Sequence, residues 1–369
     1  MTLGFRAVRN SLVLALGLTL PSFAKCPISD GASLVVRAAV GDLQVDTNGR
    51  EPVVDAQVEN NAVQIQENCG KDVVELTGNA PDEVRGTIVW KIVTPKTVHL
   101  DLVTMAGSIT VGDVDGNVLL RTAGGPVTVG SIKGKAAIIT QAGFIKAGNI
   151  GGDAELRSQG GTLEVGDIGG NADLHATAGI IRAVNIGGSV IAEGGRAISI
   201  TKAGEVKATT NAGDISIGDA TRINAKSGGG HITSRRVRGP FQGHTESGDI
   251  RLDNAASWVE ASTGNGNIIV HLIPDNYDGD LHMNLEAGIG DVTVYLPQRL
   301  RASVDASVQR PAFQSQQIIS EFPATPRPAQ GLIPTNRFYT GSHSESLLNG
   351  GGNKIVLHTS LGKITIRKN

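Results

Sequence analysis

Gly107-Ser-Ile-Thr-Val-Gly-Asp-Val-Asp-Gly-Asn-Val-Leu-Leu-Arg-Thr122 and Gly161-Thr-Leu-Glu-Val-Gly-Asp-Ile-Gly-Gly-Asn-Ala-Asp-Leu-His-Ala-Thr177 are two copies of one pattern. Aligned, they set a repeat near 18 residues. Its leading aliphatic position falls at Ile109, Val127, Ile145, Leu163, Ile181, Ile198, Ile215, Ile232, Ile250 and Ile268. Within a repeat, Ile109 and Val111 alternate with polar residues, Val114 follows a Gly-Asp turn, and Val118 and Leu120 alternate again. That is a period of two over very short strands, apolar inward and polar outward. A strand of three to five residues cannot bury its face alone, but coils stacked on one another can. The repeat therefore predicts an all-β, single-stranded β-solenoid, parallel β-helix-like, with 17–18 residues per coil. Separate hairpins would need turns of alternating phase, and here every repeat turns in the same phase. Val114, Leu120, Ile132 and Ile138 keep a six-residue spacing, whereas Pro126, Phe144 and Thr162 break it, so the hand of the coil stays open.

The corners carry their own columns. Gly116, Gly134, Gly152, Gly170 and Gly188 recur every 18 residues and are expected to supply positive φ. Asp113, Ser131, Asn149, Asp167 and Asn185 form another column, expected to accept backbone N–H groups at the turns. A calcium ladder is the competing reading, but the G-G-x-G-x-D-x-U-x nonapeptide is missing and Ser and Asn dilute the charge.

Composition agrees with thin, stacked layers. Of 369 residues 49 are Gly, aromatics make up 3%, and the formal net charge is -2. Neither that charge nor the 33 Lys and Arg suit a nucleic-acid binder. Arg6 and Arg9, the apolar run Ser11–Leu20, and Ser22 and Ala24 at the small-residue positions read as a signal peptide over 1–24. Export and a mature chain without a transmembrane segment are expected, hence periplasm, cell surface or exterior. In that oxidising setting Cys26 and Cys69 are expected to form one disulfide. The remaining divisions are a β-rich capping segment over 25–105, the solenoid over 106–304, an irregular Pro-containing excursion over 305–350, and closing solenoid strands over 351–369.

Gly-Ser-Ile-Thr-Val at 107–111, Gly-Asp-Ile-Ser-Ile at 213–217 and Gly-Asp-Ile-Arg-Leu at 248–252 resemble the "putative adhesin" domains of exported bacterial proteins. So do Pro95-Lys-Thr-Val-His-Leu-Asp-Leu102 and Gly352-Asn-Lys-Ile-Val-Leu-His-Thr-Ser-Leu-Gly-Lys-Ile-Thr-Ile366. The resemblance covers roughly 31–368 and implies a β-solenoid. It carries over no catalytic or binding residue.

A search for chemistry gives little. None of the eight His lies in H-E-x-x-H, no Ser sits in G-x-S-x-G, and no Gly pair precedes a Gly-Lys-Ser phosphate loop. The best enzymatic candidate is Glu155 with Asp173, one coil apart. They would form a carboxyl pair of the kind a polysaccharide lyase or hydrolase uses, with Ala137 and Ile191 as column neighbours and no polar cleft. Arg235, Arg236 and Arg238 form the single basic cluster, beside the irregular Gly239-Pro-Phe-Gln-Gly243. It reads as a solvated bulge interrupting the wall or as a polyanion contact. The expected function is a non-enzymatic exported scaffold or interaction protein, adhesin-like, with no cofactor and no metal. Its expected partner is an envelope protein or polysaccharide.

Overall fold

The computed structural model describes residues 22–59, 63–79, 88–309, 317–323, 325–326 and 342–369. The expected signal peptide up to residue 21, and residues 310–316, 324 and 327–341 of the excursion, lie outside them. Parallel strands stack into two sheets. Sheet 1 carries the leading column, with Ile109 opposite Val127 and Val127 opposite Ile145, unbroken to Ile250 opposite Ile268. Sheet 2 carries the Val118 and Leu120 columns. Between them Val114, Ile132, Ile150, Ile168 and Ile186 make a third row of single bridges. All three rows face one continuous hydrophobic core. The solenoid is thus the fold of this chain, with one repeat per coil through the ten-member column.

The corners are held by side chains reaching one coil along. Asp113 Oδ1 accepts the Ser131 N–H at 2.7 Å and Asn149 Oδ1 accepts the Asp167 N–H at 2.9 Å, as the Asp/Asn column predicts. A second ladder runs through Asn117, Asp153 and Asn171, which accept from Lys135, Asn171 and Ser189. The glycines beside this second ladder serve a different purpose from the one expected. Gly116, Gly134, Gly152, Gly170 and Gly188 do not have positive φ. They are needed for space: a Cβ on Gly170 would sit 2.4 Å from Asp153 Oδ1, and one on Gly188 2.4 Å from Asn171 Oδ1. Gly134, Gly170 and Gly188 make room for the caps, and Gly116 and Gly152 for the backbone of the coil before.

One inward position is polar. Thr122, Thr140 and Ser158 are buried, and each hydroxyl donates to a glycine carbonyl, that of Gly107, Gly125 or Gly143, at 2.8 Å. The ladder resumes at Thr210 and Ser227, which both donate to the Gly213 carbonyl, and continues at Thr245, Thr263 and Thr359. Those hydroxyls satisfy carbonyls that the sharp corner removes from the strand ladder.

At the ends the chain order and the stacking order part. Strand Ser33–Ala38 lies between Val73–Asn79 and His99–Thr104, parallel to both. Strand Asn353–Leu361 likewise lies between Met283–Ile289 and Ala302–Val308. Antiparallel strands close the outside: Gln64–Cys69 on Val73–Asn79, and Ser342–Leu348 on Ala302–Val308. Strand Ser22–Pro27 runs across the expected cleavage point after Ala24 and pairs with Val53–Val58. Cys26 is joined to Cys69, Cα atoms 5.3 Å apart, linking the edge strands of the two sheets. Phe322, within the excursion, is buried.

Candidate functional site

Outward residues of sheet 2 form two columns, because alternate side chains of each strand face solvent and the parallel register stacks them. Above the start of the strands lies a groove of about 950 Å³ running along several coils, lined by the outward column Asp101, Leu119, Ala137, Glu155, Asp173 and Ile191 with others. At its edge Lys135 and Asp153 pair at 2.8 Å. The hydrogen bond from Lys135, then the Asn171 N–H and the lysine charge, hold the Asp153 carboxyl below its usual range; the same pair raises Lys135.

Glu155 and Asp173 do lie opposite one another on adjacent strands. The next outward column, Arg157, His175 and Glu193, decides their role. Arg157 bonds Glu155 at 2.8 Å and Asp173 at 2.6 Å. His175 sets Nε2 2.5 Å from Asp173 and Nδ1 3.1 Å from Glu193. The Glu155 hydrogen bond is the chief cause that raises Arg157 above an ordinary guanidinium. A carboxyl pair for glycoside cleavage needs the space between its members for sugar and water; here a guanidinium bridges them. The setting is therefore a groove with an ion network, in place of the featureless wall that Ala137 and Ile191 alone suggested. Arg157 and His175 were missed because they stand two residues away along the strand, in a column that does not repeat.

Further along sheet 2 the wall turns wholly polar. A trough of about 420 Å³ is lined by Lys226, Gln242, His244, Glu260, Ser262 and Asn284, with others. Asn224 donates to Gln242 at 3.3 Å, Gln242 donates to Glu260 at 2.9 Å, and His244 Nδ1 lies 2.7 Å from Ser262 Oγ. Trp258, two residues before Glu260, stacks on His282 with centroids 5.1 Å apart.

The arginine cluster sits on the other side of the corner. Arg235 and Arg236 belong to the sheet 1 strand Ile232–Val237, and Arg238 follows it. Arg235 pairs with Asp219 at 2.7 Å and Arg236 with Asp275 at 3.5 Å. Arg238 is exposed and has no ion pair among the described residues. The wall is not interrupted here: Phe241 stays opposite Ile223 and Val259. The irregularities come later, as a register shift between Leu252 and Ala255 and in the loop around Asp275–Asp280, which brings Asp275 to Arg236.

Cys26, Glu67 and Cys69 bring ligand-type atoms within 4.8 Å of one another, but both sulfurs are spent in the disulfide. Among the described residues no helix is long and apolar enough to cross a membrane.

No protein-family model and no curated protein matches the chain. Among solved structures it is similar to a "putative cell adhesion protein" from Clostridium sporogenes ATCC 15579, at 11% identity over 95% of this chain and 100% of that one, TM-score 0.18. It is also similar to a "putative adhesin" from Bacteroides fragilis NCTC 9343, at 13% identity over 75% and 97%, TM-score 0.23. A third, from Parabacteroides distasonis ATCC 8503, shows 14% identity over 74% and 97%, TM-score 0.24. These are low-identity, all-β matches, and values of this size transfer no residue role.

Proposed function

We propose that the chain is an exported, non-enzymatic interaction scaffold of adhesin type, holding a hydroxyl-rich envelope polymer or a partner protein along the outer wall of sheet 2. The observation that carries this reading is the trough around Gln242 and Glu260. Amides, a carboxylate, a hydroxyl and an imidazole stand there at the ~4.8 Å ladder spacing of the strands. They are held by parallel pairing with the coils on both sides. A rigid ladder of donors and acceptors suits a linear partner, since the side chains are ordered before it arrives. The resemblance of the repeats to exported adhesin domains supports the same reading, and the signal-like N-terminal sequence supports export. Arg238, with Arg235 and Arg236 beside it, is the proposed contact for acidic groups on such a partner. The lyase or hydrolase reading is disfavoured by Arg157 between Glu155 and Asp173.

The test is a glycan array and an envelope pull-down with the mature chain, scored for binding and for product release. Binding without turnover is expected, weakened by the pair Gln242→Ala and Glu260→Ala and, for acidic partners, by neutralising the three arginines. Turnover that falls on alanine replacement of Glu155 or Asp173 would overturn it, as would binding indifferent to all five trough and arginine changes.

A further inference from the structure

The two outward columns of sheet 2 differ in charge over the first half of the stack. One carries Glu75, Asp101, Glu155 and Asp173 and no base from Glu75 to Ile191. The other, two residues further along each strand, carries Arg37, Arg121, Arg157 and His175, with Glu193 the one acid. Between the charged levels lie Leu119, Ala137 and Ile139, side by side on neighbouring strands and only partly buried. An apolar centre rimmed by both signs of charge, with arginine prominent, is the makeup of a protein interface.

We infer that this face pairs with the same face of a second copy, the two solenoids side by side and parallel. Consider a two-fold axis running along the stack between the columns. Each copy's acidic column then faces the other's basic column, and at two levels an acid meets a base. Glu155 meets Arg157 of the second copy, Asp173 meets His175, and Ala137 meets Ile139. Arg37 meets Val35, Asp101 meets Val103, Arg121 meets Leu119 and Glu193 meets Ile191. No like charges meet. An axis along the strands through the level of Ala137 reverses the stack instead and sets Asp101 against Asp173 and Arg121 against Arg157, so charge selects the parallel arrangement. From Glu75 to Ile191 the face spans seven ladder spacings, about 34 Å, by a five-residue strand of about 17 Å. Two such faces bury on the order of 1,100 Å², at the low end for a specific interface. The dimer is accordingly a weak one. It needs no envelope partner, so it stands or falls apart from the function proposed above.

The experiment is sedimentation velocity on the mature chain at low and high micromolar concentration. A concentration-dependent dimer, weakened by salt, is expected. Glu155→Arg sets arginine against Arg157 of the second copy, and Arg157→Glu sets glutamate against Glu155. Each should weaken self-association by about tenfold or more. An equimolar mixture of the two single variants should dimerise again, because both contacts at the altered level are then opposite in charge. That rescue separates the interface from any loss of folding, which circular dichroism checks in parallel. A monomer at all concentrations would overturn the inference. So would a dimer whose strength neither single variant changes, or a mixture that stays monomeric.

Discussion

Thr140 is buried, its hydroxyl donates to the Gly125 carbonyl, and the same oxygen accepts the Gly143 N–H at 3.2 Å. The residue thus serves two backbone groups that the corner takes out of the strand ladder. Thr140→Val keeps the volume and removes both bonds, leaving a buried carbonyl and a buried N–H without partners. A loss of about 1–3 kcal/mol is expected, read as a lower urea midpoint at unchanged slope. A midpoint equal to that of the parent would show that these backbone groups find other partners. The rung is absent at Ala176 and Gly194, on the coils where the same column carries small residues. Sequence inspection passed over this ladder because Thr and Ser at an inward position look like the polar half of an alternating strand.

Single strands show how a coil absorbs an unusual residue. In Phe241–Ser247 the ring of Phe241 fills a level where its neighbours are Ile223 and Val259. Gly243, two residues on, sits level with Ala225 and Ala261. A Cβ on Gly243 would lie 2.6 Å from the Phe241 ring. The extra volume at one inward position is offset by the missing side chain at the next. Gly243→Ala should therefore cost about 1–3 kcal/mol by overpacking, and Phe241→Leu added to it should recover part of that loss. The double-mutant cycle in equilibrium unfolding measures the coupling; additive effects would refute the compensation. This strand also marks how far the sequence could be read. Ile109, Val111, Val114, Val118 and Leu120 repeat because every inward position meets the same core, so the coil, its register and the Asp113 caps were legible. Outward residues such as Arg157, Gln242 and Glu260 answer to no common core, and their columns change character from coil to coil. The bridge across Glu155 and Asp173 and the polar trough therefore appear only when neighbouring strands are laid side by side.

An open solenoid end exposes unpaired strand edges and frays coil by coil. Here the first and last coils of the chain are each enclosed by neighbours on both sides, and antiparallel strands cover the outside. The alternation in Asn353–Leu361 matches that of any other coil, so nothing in it told which strands it would join. Its placement follows from pairing partners 72 and 51 residues up the chain. Ile355 faces both Met283 and Val304, and Leu357 both Leu285 and Ala306. At the other end the Cys26–Cys69 bond, 43 residues apart in sequence, ties the two edge strands and should add about 2–4 kcal/mol by limiting the unfolded chain. The arrangement predicts an order of opening unlike that of a simple stack. The chain's last coil should hold, while the covering strands open first. In native-state hydrogen exchange, amides of Ile355 and Leu357 should be as protected as those of Ile138 and Leu156 at mid-stack. Amides of Gln64–Cys69 and Ser342–Leu348 should exchange much sooner. Removing residues 353–369 would then open two faces at once, that of Met283–Ile289 and that of Ala302–Val308. Melting should lose cooperativity and begin well below that of the full chain. Early exchange at Ile355 and Leu357, or a truncated chain that melts like the parent, would mean that the enclosed coil does not hold this end.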